Sequence, residues 1–323
     1  MLTVEDHASP PDDFLPCEAE GYAYYKAFQD SGIANFAFGY LVVKRDGRRV
    51  AVAPYFVTRY HVNTTLPEGW LKRLLGWVSF KIACVGHPSA DLGMVDGEVS
   101  AEVLHAINAE LFKHAAVVAY KDFGAGLPLA EFSIEPNLPV ARLAIRGDFY
   151  SGLRGSVRRE FRQRLRRADT LRIEECSTYP REHAGRIYEL YLQTLARAEM
   201  RFETLTPEFF ENAATISKYM LYWEDDTLIG FALLICRDRV MLGKYLGMDY
   251  ARARKYGLYF VMMLHHVGIC VRDGYTVYQT GPSSYDFKER MGSALIPTYL
   301  YFRHRNPVIN RALAAIMRVV AYG

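Results

Sequence analysis

The sequence predicts a duplicated α+β fold, two tandem domains that each fold as a mainly antiparallel sheet flanked by helices. Three observations predict it. Apolar runs rich in β-formers are joined by short turns containing Asp. A helix-period segment and a short strand follow each set of strands. That order occurs twice, over residues 38–120 and again over residues 219–280. No GxGxxG follows a strand, so an alternating βαβ dinucleotide fold is not expected.

In the first copy, Phe38 to Lys44 reads as a strand. Arg45-Asp46-Gly47-Arg48 supplies a tight hairpin turn, and Val50 to His61 returns as the second strand. Ser100 to Ala116 reads as a helix, with Val103, Leu104, Ile107 and Leu111 near helical spacing, and Val117 to Tyr120 as a strand. A further strand, Val140 to Ile145, leads to Arg146-Gly147-Asp148, where the seam is expected; this gives domains 1–147 and 148–323.

In the second copy, Tyr219 to Trp223, Leu228 to Cys236 and Val240 to Leu246 are strands, separated by Glu224-Asp225-Asp226 and Arg237-Asp238-Arg239. Gly257 to Arg272 is a helix that Asp273-Gly274 closes, since glycine stops helices well, and Tyr275 to Thr280 is the last strand.

Composition narrows the function. Of 323 residues, 50% are hydrophobic, 14% aromatic and 23% charged, which is globular and not disordered. The formal charge of +3 is mild for a protein that lives on nucleic acid, so any such partner must meet a local patch. The five cysteines Cys17, Cys84, Cys176, Cys236 and Cys270 contain no CxxC pair, which fits reduced thiols and a cytoplasmic protein. The acidic start MLTVEDHASPPDDF does not read as a secretory signal, and the apolar helix Leu258 to Val271 is too short to span a bilayer. No metal-ligand spacing, GxSxG elbow or Walker loop is present.

Three segments carry candidate chemistry. Between Asp148 and Arg172, Arg154, Arg158, Arg159, Arg162, Arg164, Arg166 and Arg167 crowd one helix, which Phe161 and Leu165 seat on the core. That helix is either a solvated bridge between domains or a phosphate-facing surface, because guanidinium groups clamp phosphates. Next, Arg252, Arg254, Lys255 and Gly257 stand where the chain enters the Gly257 helix, whose N-terminus suits an anion; a merely basic surface loop is the alternative. Finally, beyond a strand end and a Gly-Pro turn, Lys288 follows Phe287, a plausible cation for an oxyanion or phosphate, although most lysines are simply solvated.

These residues carry a family resemblance. FYSGLRGSVRREFRQRLRRADTLRIEECS resembles the arginine-rich helix that opens the second domain in tandem Gcn5-related N-acetyltransferase (GNAT) proteins of the CelD/BcsL-like and Fem-like (FemAB) group. IYELYLQTLARAEMRFETLTPEFFE, LYWEDDTLIGFALLICRDRVMLGKYLGMD and DFKERMGS are similar to the elements that follow it, and GHPSADLGM resembles a first-domain element. The resemblance spans most of residues 36–303 and implies two tandem GNAT-like domains. It also implies acyl or aminoacyl transfer to a small-molecule amine, forming an amide, with no metal and no permanently bound cofactor. Donors of this kind are acyl-CoA, acyl carrier protein or aminoacyl-tRNA. The aromatic-lysine element carries an active-site role onto Lys288. Arg254-Lys-Tyr-Gly257-Leu-Tyr259 matches the acetyl-CoA signature only in part, since bulky Tyr259 ends it.

The expected catalytic residues are therefore Lys288, Tyr245 and Asp91, the last two as amine-binding candidates. Arg252, Arg254, Lys255 and Gly257, with Arg158, Arg159 and Arg162, are expected to hold donor phosphates. The leading function is N-acyl transfer from a thioester. Aminoacyl-tRNA-dependent transfer comes next, then a non-catalytic ligand-binding GNAT pair.

Overall fold

A computed structural model describes residues 1–61, 79–198 and 202–321. The first half holds β1 (Leu2–His7), α1 (Tyr22–Gln29), β2 (Ala37–Arg45), β3 (Arg48–His61), β4 (Ser79–Val85), β5 (Asp96–Gly97), α2 (Ala101–His114), β6 (Val117–Phe123) and β7 (Ser133–Ala144). The second half begins with α3 (Gly155–Arg167), β8 (Arg172–Cys176), α4 (Ala184–Leu195), α5 (Pro207–Asn212), β9 (Ser217–Glu224), β10 (Thr227–Arg237) and β11 (Val240–Met248). It continues with α6 (Tyr250–Ala253), α7 (Leu258–Asp273), β12 (Val277–Thr280), α8 (Tyr285–Arg290), β13 (Ala294–His304) and α9 (Pro307–Ala321).

Turn chemistry sets these boundaries. Asp46 and Gly47 both take positive φ, 50° and 79°, the combination that closes a two-residue hairpin between β2 and β3. The Ser100 hydroxyl accepts the Val103 N–H at 3.4 Å and caps α2, and Gly274 ends α7 in a left-handed conformation. Sequence reasoning located these elements within a few residues. It did not identify β1, α1, β4, β8, β13 or α9 as elements.

The strands form one continuous sheet in the order β1-β2-β3-β4-β6-β13-β7-β12-β11-β10-β9-β8, with β5 on β3. The two ends of this order mirror each other. β4 and β6 pair in parallel across α2, and β11 and β12 pair in parallel across α7; the other pairings are antiparallel. The last strand of each half is exchanged: β7 pairs with β12, β13 pairs with β6, and β7 and β13 pair with each other. The sheet is thus unbroken, where sequence reasoning anticipated two separate sheets.

Burial follows the strand pattern. α2 packs Val103, Leu104, Ile107 and Leu111 against Val43, Ala53 and Val118, all fully or nearly fully buried. α7 buries Val261, Met262 and Val267 against Tyr222 and Leu234, and the same cluster takes up Phe161 of α3 and Phe287 of α8. A third cluster joins the halves: Tyr24, Tyr25 and Phe28 of α1 share a core with Leu190, Tyr191, Phe209 and Phe210. At Gly247, a Cβ would lie 2.6 Å from the Leu190 and Tyr191 backbone, so only glycine lets α4 sit this close to β11.

Candidate active site

β11 and β12 pair only from Val240↔Val277 to Gly243↔Thr280. β11 runs on to Met248, while the chain after Thr280 turns away into α8, so the sheet opens at this point. The opening coincides with a bulge. Leu234 pairs with Gly243 and Leu233 with Tyr245, which leaves Lys244 outside the β10–β11 register. The corresponding parallel pair, β4 and β6, ends at Val85↔Tyr120, and loop 86–91 begins there.

Lys244 links the two halves. Its side chain is 4% exposed, and its ammonium donates to Asp91 Oδ1 at 2.9 Å, to a Glu20 carboxylate oxygen and to the Ser89 carbonyl. The Tyr24 ring lies 5.3 Å from the ammonium. Glu20 also accepts the Asp91 N–H at 2.9 Å, and Gln279 Nε2 donates to Asp91 Oδ2 at 2.9 Å. Arg142 of β7 in turn donates to Gln279 Oε1 at 2.7 and 3.1 Å. Burial opposes the Lys244 charge, but Asp91 and Glu20 overcome it and hold its pKa well above the ordinary lysine value. Burial likewise works against Asp91, yet Lys244 and Gln279 keep its carboxyl below the usual range. For Glu20 burial wins and pushes the carboxyl up to about 7.

Lys288 lies at the rim of this cluster. It is 2% exposed, and its ammonium donates to the Gly281 carbonyl at 2.6 Å, 5.8 Å from the Tyr285 ring centre. Burial lowers its pKa to about 8, with Asp91 acting in the opposite direction. The aromatic neighbour on its charge is Tyr285. Phe287 points into the core, 5.4 Å from Phe161 and 4.6 Å from Phe260. Tyr245 lies 6.0 Å from the Lys244 ammonium, and its buried hydroxyl makes no hydrogen bond of good geometry. Such an orphaned donor in a polar cluster is a ready ligand contact. The structure thus brings Asp91, Tyr245 and Lys288 to one region.

Sequence reasoning missed several members of this region: Lys244, Glu20, Gln279, Arg142 and Glu203. Glu203 lies in the loop before α5, tethered by the Leu205 N–H bond to the Tyr191 hydroxyl at 2.9 Å and by Thr206 Oγ1 on the Ser31 carbonyl at 2.7 Å. Burial raises its pKa against the pull of Lys121 and Lys244. Lys121, just past the β6 end of the parallel pair, is itself held by Asp122, which accepts from Asn137 Nδ2 at 2.6 Å.

The expected phosphate-binding residues lie elsewhere. Arg252 donates to Glu224 at 2.9 Å, Lys255 is also ion-paired to Glu224, and the Tyr256 hydroxyl donates to it at 2.8 Å. These three contacts, that of Lys255 foremost, depress the Glu224 carboxyl to about 2. Arg254 is exposed. Gly257 takes φ 60° at the N-cap of the 16-residue α7, a conformation that suits glycine. Arg158 donates to the Leu153 carbonyl at 3.3 Å and keeps a buried Nε without a partner, while Arg159 and Arg162 are exposed with no ion pair among the described residues. Among the described residues, no hydrogen bond or ion pair links these three to the Asp91–Lys244 cluster. Arg164, outside the expected set, is nearest the helix entrance: it stacks 4.4 Å over Phe260, and its guanidinium reaches 3.5 Å from the Cβ position of Gly257.

Residues 154–289 match a family model described as an acetyltransferase (GNAT) domain. No curated protein sequence matches the chain significantly. Among solved structures, FemX superposes with a TM-score of 0.60 at 12% identity, covering 95% of this chain and 96% of that one. A tandem GNAT protein from the clavulanic acid biosynthesis pathway gives 0.58 at 12% identity, covering 95% and 99%. L-PGS from Bacillus licheniformis gives 0.56 at 13% identity, covering 90% and 91%. Within the described residues, no helix is long and apolar enough to cross a membrane.

Proposed function

We propose that this chain, an acyltransferase with a GNAT domain over residues 154–289 inside a Fem-like tandem-GNAT fold, moves an acyl group from a thioester to a small-molecule amine. The donor in this reading is acyl-CoA or acyl carrier protein, and the two GNAT-like units divide near residue 147, with β7 and β13 exchanged. The five free cysteines suit a cytoplasmic setting. One observation carries the reading: a buried, pKa-lowered ammonium, Lys288, stands where β11 and β12 part, within electrostatic reach of Asp91.

The chemistry follows from these groups. The amine lone pair attacks the thioester carbonyl, a tetrahedral oxyanion forms, and the C–S bond then breaks to release the thiol. The Lys288 ammonium donates to the developing oxyanion. Tyr245 offers a second hydrogen bond, to carbonyl or amine. Glu203, whose carboxyl burial raises above its ordinary pKa, takes the proton that the attacking nitrogen sheds and passes it to the departing sulfur. Asp91 is already committed to Lys244 and Gln279, so it positions Lys288 and the loop before it rather than moving protons. The donor's phosphates dock at the α7 entrance, on Gly257 and the backbone N–H groups beyond it, with Arg164 and Arg254 nearby. Arg252 and Lys255 join them by exchanging Glu224 for phosphate.

An aminoacyl-tRNA donor is the second reading, and Arg159 and Arg162, exposed and without an ion pair among the described residues, favour it. Native mass spectrometry of the purified protein for CoA species, with absorbance for bound RNA, separates the two. Single-turnover transfer from the donor so identified then tests catalysis. A protein that carries neither species and transfers nothing from either donor class is a ligand-binding GNAT pair, and the proposal fails.

A further inference from the structure

A cavity of about 440 Å³ opens at the other end of the β4–β6 pair, where these strands begin. Val117 lines it and Lys121 stands four residues further along β6, so at roughly 3.3 Å per residue the cavity lies on the order of 13 Å from Lys121. Its walls are of two kinds. Phe80, Ile309 and Leu313 are apolar, and Lys81, His304 and Arg305 are basic; no carboxylate among the described residues lines it. The size falls within the range of small-molecule sites, which are mostly apolar with a few convergent polar groups.

The basic groups are not consumed by neighbours. Lys81 has no ion pair among the described residues and is exposed. Arg305 donates to the Phe112 and Ala115 carbonyls and so covers the carbonyl end of α2, but no carboxylate among the described residues pairs with it. His304 Nδ1 lies 2.9 Å from the Asn306 nitrogen and 3.3 Å from its carbonyl oxygen, while Nε2 has no hydrogen-bond partner among the described residues. Lys113 and His114 also line the cavity, but they are already paired with Glu110 and Asp6. The apolar side extends onto the surface, since Val308 is 71% and Ile309 49% exposed at the start of α9. Two cations and an imidazole at one wall and exposed aliphatic surface beside them complement one ligand shape, an anionic head on a hydrocarbon chain.

We propose that this cavity binds an anionic amphiphile, its phosphate or carboxylate held by Lys81, His304 and Arg305 and its chain laid along Phe80, Ile309 and Leu313. The head group comes either from a free amphiphile or from an anionic lipid in a bilayer. The site is separate from acyl transfer and does not rest on that reading.

Calorimetric titration of the full chain with dodecyl phosphate below its micellar range tests it, with inorganic phosphate and dodecyltrimethylammonium as comparators. We expect saturable binding of dodecyl phosphate and of neither comparator. Lys81→Glu should weaken that binding about 10- to 100-fold, the affinity value of a charge-assisted hydrogen bond. Ile309→Asp should weaken it similarly through the chain. Both positions are exposed, so both variants should fold, with acyl transfer unchanged. Flotation with phosphatidylglycerol vesicles assigns the source: flotation lost in both variants points to bilayer lipid, and absence of flotation points to a free amphiphile. No saturable binding, equal binding of the cationic comparator, or full binding by both variants overturns the proposal.

Discussion

Lys244 Nζ and Asp91 Oδ1 lie 2.9 Å apart although 153 positions separate them in the chain, and this buried contact joins the second parallel pair to the loop after the first. Asp91 and Glu20 both depend on that ammonium for neutralisation. Lys244→Met should therefore leave two buried carboxylates uncompensated and cost about 3–5 kcal/mol, the usual loss when one partner of a buried pair is removed. Adding Glu20→Gln and Asp91→Asn to the variant should restore much of the stability. Denaturant unfolding of the single and triple variants checks this, and equal stability of Lys244→Met and wild type would remove the cluster from the joint.

Glu20 predicts a pH signature. Its folded carboxyl titrates near 7 against an ordinary 4.5, because burial disfavours its charge more than Lys244 favours it. The folded protein then binds more protons than the unfolded chain between these values. Its contribution to stability is fully present below pH 4.5 and is lost as pH rises through 7. Unfolding midpoints of Glu20→Gln should fall less steeply than those of wild type across this window. Parallel profiles would mean that Lys244 keeps Glu20 ionised throughout.

Glu203 is the proposed proton acceptor. Glu203→Gln keeps the shape and removes the base, so turnover should fall by about 100-fold or more while KM for the donor holds. The expected kinetic trace is loss of the acidic limb in the pH–rate profile. If that limb persists at full height in the glutamine variant, the proton leaves by another route.

The arginine helix discriminates between donors. If the donor is aminoacyl-tRNA, reversing Arg158, Arg159 and Arg162 to glutamate should weaken RNA binding and flatten its salt dependence; if it is a thioester, donor binding should be unchanged. Arg159 and Arg162 are exposed and add little stability, so the variant should melt close to wild type. A collapse in Tm would identify the helix as a strut, with Arg158 and its contact to the Leu153 carbonyl the responsible member.

Local grammar was legible in the sequence and long-range pairing was not. Asp46-Gly47 and Gly274 demand left-handed backbone, so their turns and stops could be read directly. The exchange of β7 and β13 left no local trace, because a strand reads alike whichever neighbour it joins. At the site, Lys288 was visible through a family-like aromatic-lysine element. Lys244 is equally visible as the one charge inside Val240–Met248, but a lone lysine in a strand has no local signature that separates a buried ion pair from a solvated side chain. A single cation on a buried strand demands anionic partners, and these come from Glu20 and Asp91 in the other half, which spacing does not reveal. Glu203 is likewise surrounded only once the loop before α5 packs on the first half.

Lys288 supplies the most direct test. Burial lowers its pKa to about 8, so the ammonium is largely charged at pH 7 and loses its proton just above. If it stabilises the oxyanion as a cation, activity must fall as pH rises through about 8, an alkaline limb far below that of an ordinary lysine. Lys288→Ala removes one preorganised stabiliser and should cost about 100- to 1,000-fold in kcat. Stability should hold, because burial already disfavours the deleted charge. Lys288→Arg keeps the cation at every pH but in a wider, planar group, so it should recover part of the rate and shift the alkaline limb upward. Single-turnover rates across pH 6 to 10 for the three proteins decide it. A limb near 8 that survives in Lys288→Arg belongs to another group, and wild-type rates in Lys288→Ala would take Lys288 out of the chemistry altogether.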